Sequence, residues 1–212
     1  MQTELFHKLS PEKQTAIVLS GTVEFSKKSF ADANTDVITQ NCGISKGLLF
    51  HYFGTKREFY LYCLSSALEK LMVETEIPEG DFYAVLFGSM DHKLRLCALY
   101  PAEMKFVNMA SRESSAEVDG GRKELFMKYG ARRSSASFMV LQRALKALPL
   151  KHPDDAKTAK GLMLYCDALV NQYLLAYQDH PEAFFAQAEQ IKAELKEYID
   201  FMIYGITEGQ AE

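Results

Sequence analysis

The sequence is poor in several things that would announce an activity. Runs alternating apolar with polar residues between turn signals are nearly missing, and β-branched residues are few, so strands are not expected. No Walker loop, G-x-S-x-G or G-x-G-x-x-G occurs, which removes the commonest phosphate-cradling and hydrolase motifs. There are four cysteines, Cys42, Cys63, Cys97 and Cys166, scattered without a Cys-x-x-Cys pair. That spacing fits buried free thiols in a reducing compartment better than a disulfide framework. No apolar run approaches the roughly 20 residues that span a bilayer. The polar start MQTELFHKLS lacks the apolar core of a signal peptide, and a cytoplasmic chain with no membrane partner is expected. Carboxylate-bridged metal bundles require two Glu-x-x-His pairs, and only Glu4 and His7 form one. Asp91, His92 and Cys97 make a loose trio without a fourth ligand. No catalytic residue, metal or cofactor is assigned, and the chain is not expected to be an enzyme.

What is present is ordinary globular material. Hydrophobic residues make up 48% and charged residues 25% of 212 positions, enough for a sizeable core. The net charge of −4 is unevenly spread: residues 1–75 carry eight Lys or Arg against eight Asp or Glu, so the excess acid belongs to the remainder. A small neutral head on an acidic body suggests two jobs.

The punctuation is helical throughout. Ser10-Pro11-Glu12 supplies an N-cap, a proline suited to the first turn and an acid near the helix dipole, which predicts a helix to about Lys28. Ile17, Gly21 and Phe25 then share a face. Asn34 or Thr35 caps a short helix to about Asn41. Gly43 provides the left-handed turn, and Ser45 caps a third helix to about Phe53. Thr55-Lys56-Arg57-Glu58 reads as a capping box, opening a fourth helix with Phe59, Cys63, Ala67 and Leu71 on one face. Pro78-Glu79-Gly80 is a break. Beyond it, five helices are expected: over 81–99, from Pro101 fading within the Ser/Glu-rich stretch 111–117, and over 121–148, 154–178 and 181–205. The reading is an all-α chain of about nine helices: a three-helix head at 1–55, a connecting helix at 56–80 and a helical bundle at 81–212.

Helix, tight glycine turn and second helix form a helix-turn-helix, whose second helix enters the major groove of DNA. The residue types suit that task. The amides near Ser45 favour phosphate, Lys46 offers an ammonium, and Gly47 lets backbone come close. His51 and Tyr52 can donate to phosphate, Lys56 adds another contact, and Leu49 and Phe53 face inward. A short helix pair with a glycine turn also occurs in bundles that never meet DNA.

The stretch TDVITQNCGISKGLLFHYFGTKREF, residues 35–59, resembles the DNA-binding signature of the TetR (tetracycline-repressor) family of bacterial regulators. The match extends back through Ile17, Phe25 and Phe30. The resemblance implies DNA contacts from Thr35, Ser45, Lys46, Gly47, Leu48, Phe50, His51, Tyr52 and Lys56. Four positions depart from the family pattern. Leu48 stands where a small polar residue, often threonine, is common, and Phe50 where tyrosine is common. Ser29 replaces the usual glycine and Cys42 the usual alanine. Leu48 can touch a thymine methyl but cannot hydrogen-bond a base, so base preference is where this head is expected to differ.

The helix predicted over 154–178 is apolar nearly all round and must be covered on all sides, either by a second copy of the chain or at the centre of one monomer. The last helix carries Phe184, Ala188, Ile191, Leu195, Tyr198 and Met202 at spacings of four and three, a packing seam. Leu162, Cys166, Leu169, Tyr173, Phe184, Ile191, Leu195, Tyr198 and Met202 are the candidates for a homodimer interface. Phe106, Met109, Tyr129, Met139, Gln142, Asn171 and Tyr173 are the candidates for a small-molecule pocket, or else simply for core and surface. The resemblance implies an effector in the body, apolar or aromatic in character. The function expected is a ligand-responsive transcriptional regulator, a repressor that binds a palindromic operator as a dimer and is released by a small molecule. The alternative is a helical small-molecule-binding or enzymatic bundle whose helix-turn-helix no longer binds DNA.

Overall fold

The computed structural model describes residues 2–73, 79–148, 155–176 and 181–205, with the side chains of ten helical residues, Asn171 and Phe184 among them, outside the description. Among the described residues every regular element is an α-helix: α1 Gln2–Phe6, α2 Pro11–Phe25, α3 Thr35–Cys42, α4 Lys46–Phe53, α5 Lys56–Leu71, α6 Phe82–Leu99, α7 Pro101–Ser111, α8 Ala116–Leu145, α9 Asp155–Ala176, α10 Pro181–Ala186 and α11 Ala188–Tyr204. None is long and apolar enough to cross a membrane.

These are two more helices than the pattern predicted. The first, α1, is too short to be stable alone. It forms because Phe6 is buried among Phe53, Tyr52 and Tyr62. The other comes from a break at Gln187 that divides the last expected helix into α10 and α11. Helix α8 also starts before its expected position. Its Gly120-Gly121 pair reads as a helix start in the sequence but lies inside the helix, and a Cβ on Gly121 would fall 2.5 Å from Leu61 Cδ1. That glycine answers to close packing.

The chain packs as two compact units, residues 1–74 with 95–133 and residues 75–94 with 134–212, so α6 and α8 each contribute to both. This partition cuts across the division at 55 and 80 read from the sequence, because α7 and the first half of α8 complete the core of the head. Phe25 stacks on Phe106 at 5.5 Å between ring centroids and meets Tyr60 edge-on at 4.9 Å. Phe106, Ala110, Val118 and Tyr129 belong to the same buried cluster as Ile17, Ile38, Leu49, Phe53 and Phe59. Helices α2 and α5 approach closely at Gly21, where a Cβ would lie 2.6 Å from the Phe59 ring. Burial pushes the Cys63 thiol at that crossing well above its ordinary pKa.

The second unit has its own core of Phe82, Val85, Leu141, Ala144, Leu145, Ala159, Leu162 and Ile199. Tyr83 stacks on Phe87 and donates its hydroxyl to Asp200, while Lys196 lies over the Tyr83 ring at 4.5 Å. Buried Ile191, Leu195 and Ile199 form the inner face of α11.

Candidate nucleic-acid interface

Helices α3 and α4 are each started by a side chain that satisfies an orphan amide. Asn34 Oδ1 accepts from the Asp36 N–H at 2.8 Å, and Ser45 Oγ accepts from the Leu48 N–H at 3.1 Å. Between them Gly43 takes φ +67° and ψ 37°, a conformation costly for a residue with a Cβ. Its N–H and that of Ile44 close the end of α3 on the Gln40 and Thr39 carbonyls. The predicted Thr55–Glu58 cap is also present, with Thr55 Oγ1 accepting from the Glu58 N–H at 3.1 Å.

Helix α4 therefore has two faces. Leu49 and Phe53 are fully enclosed against the rest of the head. Ser45, Lys46, Gly47 and His51 are exposed on the other side, with Leu48 and Phe50 half-buried between the faces. Tyr52 differs from expectation. It is 7% exposed, with its ring edge-on to Phe6 at 6.0 Å and to Phe53 at 6.5 Å, so the ring is part of the core of the head. The cause is α1, whose Phe6 covers that position. Thr35 is likewise buried at the first turn of α3.

The two lysines expected at phosphate are held internally. Lys46 Nζ lies 3.1 Å from the Asp36 carboxylate, and Lys56 Nζ donates to the Ala31 carbonyl at 3.2 Å while sitting 4.9 Å above the Phe30 ring. Burial holds the Lys56 ammonium below its ordinary pKa, against the opposing pull of Glu117, Asp32 and Glu24. Both contacts involve exposed or half-exposed groups, where such interactions are weak, about 0–1 kcal/mol, and each ammonium keeps further N–H donors for a phosphate.

Buried Glu24 is the group that sequence reasoning missed. Its carboxylate accepts from the Asn34 N–H at 3.0 Å and from Lys28 Nζ at 2.9 Å. Burial raises its pKa, but these two partners outweigh it and hold the carboxyl below the usual range. The glutamate thereby fixes the residue that caps α3. A clue lay in its register, one residue before the inward-facing Phe25.

The effector candidates are distributed over both units. In the first, Phe106 is wholly enclosed in the aromatic core, and Tyr129 is buried with its hydroxyl on Glu69 Oε1 at 2.8 Å and 3.2 Å from Ser65 Oγ; Met109 is exposed. In the second, Met139 and Gln142 line a half-open depression of about 350 Å³ with Arg143 and Lys146. Tyr173 is half-buried, and the side chain of Asn171 lies outside the described residues. For Phe106 and Tyr129, candidates for pocket or core, the structure gives core, because α7 and α8 pack against the head there.

Among the interface candidates Leu162, Ile191 and Leu195 are buried within the second unit, and Cys166, Leu169 and Tyr173 are half-buried. Tyr198 and Met202 are exposed, as are Leu164, Phe201 and Tyr204. Tyr165 Oη donates to the Tyr198 carbonyl at 3.0 Å, so α9 lies beside α11. Phe184 has no described side chain.

The chain joins a capped helix-turn-helix to a helical body, and both the head and the fold have counterparts among known proteins. Residues 17–63 match the family model for bacterial regulatory proteins of the tetR family. The fold resembles a TetR family transcriptional regulator from Chloroflexus aurantiacus J-10-FL, with 18% identity over 94% of this chain and 95% of that one and a TM-score of 0.55. It also resembles NalD of Pseudomonas aeruginosa, the secondary repressor of the MexAB-OprM multidrug efflux pump, with 14% identity over 89% and 97% of the two chains and a TM-score of 0.59. A putative TetR family regulator from Shewanella sp. PV-4 aligns at 18% identity over 88% and 95%, with a TM-score of 0.54. The search of curated proteins finds no match. Residues 17–63 thus match the tetR family model, and the fold over most of the chain resembles that of solved TetR family regulators.

Proposed function

We propose that the protein is a homodimeric repressor that binds a palindromic operator and is released by a small molecule. The observation that carries the reading is the two-faced helix α4. Its inner side is anchored by Leu49 and Phe53, and its outer side presents Ser45, Lys46, Gly47 and His51 at a capped N-terminus. Backbone amides and a helix dipole at that end favour phosphate, and the exposed side chains reach base edges and backbone. Leu48 and Phe50 flank the same surface and supply apolar contact to thymine methyls in place of hydrogen bonds.

Support for the dimer comes from the apolar side chains left exposed at the end of α11. Phe201 is 57% exposed and Tyr204 69% exposed, beside Tyr198 and Met202. Several large apolar side chains exposed on one helix end are a feature of interaction sites. A second copy, covering it by two-fold symmetry, would present two heads to half-sites about 34–36 Å apart. The effector role rests on the likeness to regulators of this fold and on the half-open depression lined by Met139 and Gln142. An effector lowers operator affinity only by preferring the state with wrongly spaced heads.

Selection of bound duplexes from a random library tests the reading. A palindromic motif bound by a dimer, with affinity falling steeply as salt rises, is the expected result. Recovery of no motif would leave the head as a structural module on a small-molecule-binding bundle.

A further inference from the structure

The loop joining α2 to α3 is tied down at three places. At its far end, Glu24 holds the Asn34 N–H at 3.0 Å. In its middle, the Ala31 carbonyl holds Lys56 Nζ at 3.2 Å. One residue earlier, the Phe30 N–H donates to Glu113 Oε2 at 2.6 Å. Glu113 comes from the turn between α7 and α8, 83 residues away in sequence, and its other oxygen accepts the Ser115 N–H at 2.9 Å. One carboxylate thus joins that turn to the loop. The start of α8, just beyond that turn, is pinned to α5 by Arg57 Nε, which donates to the Glu117 carbonyl at 2.8 Å. The Phe30 ring, fixed edge-on to Tyr60 at 5.3 Å, is the surface on which Lys56 rests.

We propose that Glu113 is a positioning residue for operator binding: by holding the Phe30 amide it sets the loop that aims Lys56. This rests on the DNA-binding reading above. The carboxylate touches no DNA; it acts through Phe30 and Ala31 on the lysine. Simple electrostatics predicts the opposite effect, since removing a negative charge from a DNA-binding head strengthens binding to phosphate.

The test is operator binding by Glu113→Ala, Glu113→Gln and Glu113→Asp in the full-length protein, at several salt concentrations, with thermal melting as a control on folding. Glu113→Ala is expected to weaken every operator alike, about tenfold, and to lower the salt slope by about one phosphate per head. Glu113→Gln keeps an oxygen at the reach of the Phe30 N–H and retains most of the affinity despite losing the charge. Glu113→Asp keeps the charge but loses the reach, and falls with Ala. In a Lys56→Ala background, Glu113→Ala costs little more. A salt slope unchanged by Glu113→Ala, losses that add fully with Lys56→Ala, or Gln weaker than Asp would each overturn the proposal. If the alanine variant does not fold, the Gln and Asp pair decides it. If the unaltered protein selects no duplex, the DNA-binding reading itself has failed, a result distinct from any of these.

Discussion

Gly47→Ala separates what the fold requires from what the DNA requires. Gly47 is exposed at the second position of α4, and a Cβ there would come no closer than 4.0 Å to any neighbour, the nearest being Ser45 Oγ. Nothing within the protein needs a glycine at this place. Glycine in a helix is less favourable than alanine by roughly 0.5–1 kcal/mol, so the alanine variant should be the more stable. For a chain of this size that corresponds to a melting temperature higher by about 1–4 °C. If α4 meets the operator as proposed, the added methyl would stand where the helix approaches the DNA backbone. A displacement of the helix that breaks one charge-assisted hydrogen bond costs about 1.5–3 kcal/mol, or roughly 10- to 100-fold in affinity. Calorimetry and a fluorescence-anisotropy titration on the same preparation would measure both. Opposite signs would exclude misfolding as the cause. Unchanged affinity in the stabilised variant would refute the placement of Gly47 against DNA, and with it the orientation of α4.

Three further outcomes follow from the same geometry. Lys56→Ala should weaken all operators by a similar factor and lower the salt slope, whereas Leu48→Thr should change which base is preferred; binding to a panel of single-base operator variants distinguishes the two, and equal effects on every operator would contradict the division of roles. Glu24→Gln should destabilise the head by about 1–2 kcal/mol at neutral pH through loss of its charge-assisted bond. Because the folded-state pKa of Glu24 is depressed, its stabilisation is complete above the ordinary carboxylate range and fades as pH falls through it, so the variant should melt with a shallower pH dependence between about pH 6 and 3; parallel curves would remove the argument. Phe201→Asp with Met202→Asp should convert a dimer to monomer in sedimentation without lowering helicity, since Phe201 and Met202 are both exposed in the single chain, and a persisting dimer would place the interface elsewhere.

Much of the head was legible in the sequence because its signals are local. Asn34, Ser45 and Thr55 cap helices through bonds to residues two or three positions away, and Gly43 turns the chain by its own φ. Leu49 and Phe53 lie four apart and so share a face whatever packs on them. Composition and spacing thus determined an all-helical chain and a helix-turn-helix with one greasy and one basic side. Contacts between distant segments were not legible. Periodicity cannot say that a five-residue helix persists because Phe6 finds Phe53 and Tyr62, nor that this covers Tyr52. It could not show that Phe106 and Tyr129 fill the core of the head, since an apolar stripe looks the same whether its partner is a ligand or another helix. Glu113 is the sharpest case: an ordinary acid in a Ser/Glu-rich turn, it meets Phe30 only when α7 and α8 have packed against α2 and α5. Local propensity determined where the helices begin and turn; only the tertiary structure decided which faces they share, because burial and hydrogen bonding depend on what arrives from elsewhere in the chain.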